Sequence, residues 1–430
     1  MQEVLNGASI AFTLKVIGAG LSFSFNVVLA RILGAEGAGI YYLALTITMI
    51  ATVFGRMGLD NTLLRFIASN AAIGDWVAVK GVYRKGMVFA LTASGLSSLI
   101  MFSGAPFLAL GVFSKPELTD PMRWMSLAII PITLLMLHAE ALKGLKRIRD
   151  SQLVQGVWVP ALSLLMLYVL CKILGVTGAV LAYVFAAIIT VLIGYASWRR
   201  ATPQLKGITW SFKTHDLMKT SVPLFFVTLM HIVINWTASF ALGVYGSNAD
   251  VGIFNIACRT AMLTSFVLIA VNSIAAPKFA ALYGQGDMEA LGYTARNSAK
   301  LMTLMAGPVL LFFALFPEWV MGLFGSQFKD GSSVLLILSL GQFINVATGS
   351  VGYLLMMSGY ERLLRNSITC VAIGNIVMNV LLIQWFGIIG AAVATALSLA
   401  AMNLIFMVFV WRRLKIWTLP FMPGFSKAGH

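Results

Sequence analysis

The stretch from Leu33 to Asp75 occurs twice in this chain. The first copy opens L-G-A-E-G-A-G-I-Y-Y-L-A at Leu33, runs through an apolar segment holding Arg56, and closes on R-F-I-A-S at Arg65 and G-D-W at Gly74. The second opens A-D-V-G-I-F-N-I-A at Ala249, holds Arg259 in its apolar segment, and closes on K-F-A-A-L at Lys278 and G-D-M at Gly286. Gly39 and Gly252 are 213 residues apart, Phe66 and Phe279 also 213, and Asp75 and Asp287 212. One spacing held through a helix and both its flanking loops marks a duplicated unit. Each copy also carries an arginine inside, or near the end of, an apolar segment, where a charge is costly.

Outward from this repeat, the chain is apolar nearly everywhere. Its 430 residues are 59% hydrophobic and 10% charged, with a mean hydropathy of +0.90. That excludes a water-soluble globule and indicates an integral membrane protein. Apolar segments long enough to cross about 30 Å of hydrocarbon recur along the whole length. Without water to satisfy the backbone they must be helices, so the class is all-α. Twelve spans are read: 8–33, 38–62, 84–110, 121–143, 152–174, 176–198, 217–245, 250–274, 296–316, 332–357, 365–386 and 388–411. Lys15 interrupts the first apolar run, so that segment is expected to remain as a helix and not to be cleaved as a signal.

Most Lys and Arg fall on alternate connections, among them Lys80, Arg84, Lys143, Arg147, Arg199, Lys206, Arg362, Arg412 and Lys427. The opposite side carries Arg31, Lys115, Arg123, Lys172 and Lys329. The asymmetry places both termini in the cytoplasm. The net charge of +15 is thereby a matter of topology; scattered between spans, it forms no patch for nucleic acid. Cys171, Cys258 and Cys370 lie in apolar segments without paired spacing and read as packing residues, with no disulfide framework or metal site.

The longest polar connection, 199–216, is read as the boundary between two six-helix lobes, 1–205 and 206–430. G-V-T-G-A-V-L-A at Gly175 matches G-I-I-G-A-A-V-A at Gly387, which extends the repeat. Six spans per copy give a parallel repeat about an axis along the membrane normal, an arrangement that encloses a central cleft. Prolines 131, 160, 223 and 308 are expected inside spans, where they favour bends.

Arg259 is the sharpest candidate. Nine residues after Asp250, at 1.5 Å each, it is about 13 Å into its span. It reads as a cleft cation for an anionic substrate, or as an arginine fixing helix packing through buried carbonyls. Asn255 lies one turn away on the same face. Arg56, near the inner end of span 2, reads either as a substrate cation or as a snorkelling residue paired with Asp60. Lys15 shares a helical stripe with Ser22 and Asn26, which suggests a face turned to water or protein, with a lysine snorkelling to the inner surface as the competing reading. Thr228, His231, Asn235 and Ser239 form another polar face on span 7, and Asn375 and Asn379 one on span 11; interhelical bonding is the competing reading for both.

No carboxylate is expected at mid-membrane; Asp60 and Glu140 come nearest, and both sit toward the inner end. A cation-coupled drug exporter would place one in its cleft. The four histidines show no ligand spacing, and no phosphate-cradling or nucleophile motif is present, so neither enzyme chemistry nor a cofactor is expected.

These residues resemble a known family. The L-G-x-x-G-x-G-x-Y segment after span 1, G-D-x-x-x-x-K at Gly74 and P-K-F-A-A-L…G-D-M-E at Pro277 look like bacterial polysaccharide flippases of the multidrug/oligosaccharidyl-lipid/polysaccharide exporter superfamily. K-V-I-G at Lys15 and A-C-R at Ala257 resemble R-V-L-G and A-D-R of the related lipid II flippases, which implies cationic cleft positions for Lys15 and Arg259. Arg56 occupies the corresponding part of span 2 without a motif match. Lysine for arginine in span 1 keeps the charge but loses the bidentate fork. Those flippases carry two further spans, so a glycan-repeat flippase is the nearer match.

The resemblance implies translocation of a polyprenyl-diphosphate-linked oligosaccharide across the bacterial cytoplasmic (inner) membrane for lipopolysaccharide or exopolysaccharide synthesis. The binding residues would be Arg259, Arg56, Lys15, Asn255, Asn26, Asn235 and His231. Membrane lipids and glycan polymerase or ligase machinery would be the other partners. The rival readings are an ion-coupled multidrug exporter of the same superfamily and a membrane-embedded glycan-processing enzyme.

Overall fold

A computed structural model describes residues 2–419, with side chains from residue 10 onward apart from Ser273 and Pro277; Lys427 lies outside the described residues. Among the described residues the chain is helical almost throughout, with no strand. Two compact units form, Met1–Gly252 and Ile253–His430. The first holds α1 (Gln2–Arg56), α2 (Leu59–Ala72), α3 (Trp76–Phe107), α4 (Thr119–Ser126), α5 (Ile129–Gly144), α6 (Ile148–Gln152), α7 (Trp158–Ala201), α8 (Thr214–Tyr245) and the start of α9 (Asn248–Ala261). The second continues with α10 (Ser265–Gly284), α11 (Met288–Leu315), α12 (Pro317–Gly322), α13 (Ser332–Ala347), α14 (Val351–Met357) and α15 (Glu361–Leu414).

Eight stretches among the described residues are each long and apolar enough to cross a membrane. Three are far longer than one crossing, and each contains a glycine that interrupts the helix: Gly34 (φ +67°), Gly175 (φ +56°) and Gly387 (φ +54°). Only glycine adopts this region without strain. A ninth span is broken, Pro116–Ser126 meeting Ile129–Gly144 at 42°. Divided at those glycines, the stretches are consistent with the twelve spans expected. Pro131 sits in the first turn of α5, where proline is tolerated, whereas Pro160, just after a π-turn at Leu153–Val157, Pro223 and Pro308 lie inside continuous helical stretches.

The sequence repeat is also a structural one. A Cβ on Gly178 would lie 2.0 Å from the Leu170 carbonyl oxygen, and one on Gly390 would lie 2.0 Å from that of Leu382. Each pair closes the tight corner made by Gly175 or Gly387, 212 residues apart. Gly74 and Gly286 turn with φ of +76° and +75°, and Asp75 and Asp287 cap the next helices by accepting from Ala78 N and Ala290 N, both at 2.9 Å. Gly39 and Gly252 pack on each other: a Cβ on the first would sit 1.7 Å from Asn248 O, and on the second 2.2 Å from Ala35 O. Each glycine thus meets the carbonyl four residues before the other, a reciprocal close crossing of the small-residue kind.

The 199–216 connection packs along the first unit. Lys80 Nζ donates to Leu205 O (2.9 Å) and Ile208 O (2.6 Å), and Lys85 Nζ to Phe212 O and Thr214 Oγ1 (2.7 Å each). Phe212 packs on Phe66 at 5.0 Å, and α8 then seats Ser221 against Gly58. Two lysines of α3 therefore strap the connection down, and α8 follows it onto the first unit. At the other end of α8, Lys115 Nζ donates to Gly243 O and Gly246 O, satisfying helix-terminal carbonyls. Burial holds the Lys115 ammonium below the usual lysine range, against the pull of Glu117 and Asp250.

Most hydroxyls inside spans bond back to the preceding turn, as Ser94 does to Ala90 O and Thr190 to Ala186 O. Asn375 and Asn379 prove to be packing residues. Both are buried; Asn375 Nδ2 donates to Ser398 Oγ (2.9 Å), joining the two halves of α15, and Asn379 Nδ2 donates to Asn375 O.

Candidate functional site

Arg56 is the last residue of α1. Met57 (φ +49°) and Gly58 (φ +72°) break the helix immediately after it, and α2 starts at Leu59. A Cβ on Gly58 would fall 2.3 Å from Ser221 O, so only glycine lets α8 pass there. Across the break Arg56 Nη1 donates to Asp60 Oδ2 at 2.9 Å, with 17% and 15% of the two side chains exposed. The ion pair anticipated from the i,i+4 spacing forms. It engages one guanidinium nitrogen, and the negative end of the α1 dipole also favours a cation here.

Arg259 stands at a second break. It lies in the last turn of α9, which gives way at Met262–Thr264 to one tight 3₁₀ turn before α10 resumes. A 3₁₀ interruption within a span marks a hinge or a functional irregularity. Arg259 is half-buried and Asn255, one turn earlier, is 5% exposed. Thr260 and Thr264 bond back to Ile256 O and Ala261 O, so the turn is satisfied locally on its hydroxyl face. Both candidate arginines thus sit within three residues of a helix break, at the C-terminal end of a helical segment. Such an end supplies outward carbonyls and a dipole that lower the cost of a cation away from water. Discontinuous spans are also where membrane transporters build ligand sites.

The remaining candidates lie on α1 (Lys15 and Asn26) and α8 (His231 and Asn235). Lys15 is half-buried, and the Lys143 charge acts on it; Lys143 in turn pairs with Glu140 at 2.5 Å. Asn26 is buried and its Oδ1 accepts from Tyr42 Oη at 2.8 Å, which joins the two halves of α1 across Gly34 and leaves the amide N–H groups to donate elsewhere. On α8, Asn235 Nδ2 donates to His231 O at 2.7 Å; both side chains are exposed and not wedged between helices. Ser239 of the same stripe is buried. The two carboxylates nearest mid-membrane in the sequence, Asp60 and Glu140, are each neutralised by a cation one turn away. Among the described residues no group of His, Cys, Asp or Glu is arranged to hold a metal.

A cavity of about 720 Å³ opens in the first unit, and none of the seven residues lines it. Tyr83, His138, Tyr195 and Trp198 wall it, with Lys80, Arg84, Arg199 and Lys206 at its rim. Sequence reading missed it. The available signal was a cluster of Trp, Tyr and Arg at the ends of spans 3 and 6, which looks like ordinary interfacial anchoring.

Residues 4–282 match the family described as "Polysaccharide biosynthesis protein". The chain belongs to that family. A second family model, MatE, matches residues 223–381. The probable low-salt glycan biosynthesis flippase Agl15 of Haloferax volcanii is 25% identical over 90% of this chain and 79% of its own length. Among solved structures, an inward-facing multidrug resistance MATE family transporter of the MOP superfamily superposes with a TM-score of 0.76 at 17% identity, covering 95% of this chain and 98% of that one. The lipid II flippase MurJ in an inward closed conformation gives 0.74 at 13%, covering 94% and 87%. The family's chain here therefore has the fold of MOP superfamily transporters, as the resemblance implied.

Proposed function

We propose that this protein is a flippase that moves a polyprenyl-diphosphate-linked oligosaccharide from the cytoplasmic to the outer leaflet of the cytoplasmic membrane. Membership in the polysaccharide biosynthesis family supports this reading, and so do the names of its relatives. The observation that carries it is the pairing of Arg259 with a 3₁₀ break inside its span. A guanidinium presents two parallel donors to phosphate, a geometry suited to a diphosphate.

In this reading Arg259 holds the diphosphate while Asn255, Asn26, Asn235 and His231 bond the sugars. Arg56 and Lys15 attract the anion at the inner side. Both termini are cytoplasmic, and the duplicated lobes 1–205 and 206–430 provide alternating access. The cargo crosses without covalent change, and a glycan polymerase or ligase takes it on the outer side.

Replacing Arg259 with Ala should reduce surface glycan about a hundredfold or more, with complete lipid-linked repeat units accumulating inside, because a buried charge-assisted contact is worth several kcal/mol. Membrane levels of the protein should stay normal. Unchanged glycan export in that variant would overturn the assignment.

The MatE match and the MATE-like fold keep a drug-exporter reading in view. It requires an ionisable carboxylate in the transport path, whereas Asp60 and Glu140 are each paired with a cation. Antibiotic sensitivity on deletion, with normal surface glycan, would favour the exporter. An incomplete repeat unit in the accumulated precursor would favour a glycan-processing enzyme.

A further inference from the structure

We propose that the cavity between the inner ends of α3, α5 and α7 is a binding site for an anionic phospholipid of the cytoplasmic leaflet, separate from the transport path. Four cations line it, Lys80, Arg84, Arg199 and Lys206, and no carboxylate does. Among the described residues none of the four joins an ion pair. Lys80 is committed to the strap carbonyls, and Arg84 and Arg199 lie over the rings of Trp210 (5.1 Å) and Tyr195 (5.9 Å). Arg84, Arg199 and Lys206 are exposed, so their charges stay available to an anion.

The cavity has a built wall. Tyr83 stacks on Trp198 with centroids 4.2 Å apart and planes at 12°, and Trp198 is only 3% exposed. His138 Nδ1–H donates to Leu134 O at 2.6 Å, because a carbonyl only accepts; Nε2 of the neutral ring then accepts from the Tyr83 hydroxyl at 3.1 Å. Simple interfacial anchors would point outward to the headgroups. Here a buried tryptophan, a tyrosine and a histidine are locked together to hold a hollow open.

The shape matches a lipid better than a soluble ion. From Lys80 to Leu91 the α3 face runs inward by about 16 Å, and beyond the cationic rim the lining is apolar, with Val88, Leu91 and Leu192 exposed. A phosphate headgroup fits the rim and an acyl chain the floor. Basic pockets between spans on the cytoplasmic side recognise anionic headgroups on these terms. The 199–216 strap forms the roof, so an occupied site would hold that connection in place.

The test is native mass spectrometry of the full-length protein in detergent, titrated with phosphatidylglycerol, phosphatidylcholine or inorganic phosphate. Phosphatidylglycerol should be retained in preference to phosphatidylcholine, and inorganic phosphate should not displace it. An R84Q/R199Q double variant should weaken retention about 25-fold, from roughly fivefold per cation. Leu192→Trp, which fills the floor and leaves every cation, should also displace the lipid. Arg259→Ala should leave it bound, which separates this site from the transport reading. Equal retention of phosphatidylcholine, displacement by inorganic phosphate, or double-variant affinity equal to wild type would overturn the proposal. So would competition by a polyprenyl diphosphate at lower concentration than phosphatidylglycerol, which would make the cavity a substrate site.

Discussion

The two copies of the repeated stretch use one backbone plan and place their charges differently. Both turn a corner on a glycine at φ of +76° or +75°, and both cap the next helix with an aspartate bonded at 2.9 Å. Between those shared points they diverge. Shifted by 213 residues, Arg259 corresponds to Thr46, a buried hydroxyl bonded back to Tyr42 O, and Arg56 corresponds to Ile269. Asn255 corresponds to Tyr42, which bonds Asn26. Each copy carries its arginine where the other is neutral. Shared residues therefore build corners and crossings, while the residues that depart from the repeat are the ones with chemistry to offer.

Breaking the shared part should have the largest effect. Gly252→Leu or Gly39→Leu drives a side chain into a carbonyl only 2.2 or 1.7 Å from its Cβ, and α1 and α9 would have to separate. Either variant should leave little folded protein in the membrane, measured by detergent-extracted yield and size-exclusion profile; normal yield would show that the crossing is not rigid.

Breaking the copy-specific charge of the first copy should cost function more than stability. Arg56→Ala should lower export about tenfold and also lower the melting temperature by a few degrees, since the pair is mostly buried and Asp60 is left without its cation. Asp60→Ala, which frees the guanidinium, should retain export; equal loss in both variants would make the pair purely structural. The smallest effects belong to the caps. Asp75→Ala and Asp287→Ala should each destabilise by about 1 kcal/mol, a drop of a few degrees at most in thermal unfolding. The two drops should be alike, and a clear inequality would show that the corners no longer do the same work.

Much of this architecture is legible in the sequence, because apolar length, glycine corners and the 212–213 spacing are local signals. The G-D turns and the Gly175 and Gly387 corners could be placed from residue identity alone. What escaped depends on distant partners. The 199–216 connection has the composition of a linker, and residues well over a hundred positions away, among them Lys80, Lys85 and Phe66, hold it to the first unit. The 3₁₀ turn after Arg259 falls on Met-Leu-Thr, which contains no glycine or proline to announce it. Asn375 and His231 looked alike as polar residues in spans; one is buried in a bond to Ser398 and the other is exposed. Helical periodicity gives the stripe but not what faces it.

The central claim is that the cation in the second copy recognises the diphosphate. Its most direct test is translocation in proteoliposomes containing purified protein and a polyprenyl-diphosphate-linked oligosaccharide, comparing wild type, R259K and R259A. The account predicts near-complete loss with R259A and partial activity with R259K, which keeps the charge but not the fork. Wild-type translocation by R259A would contradict it.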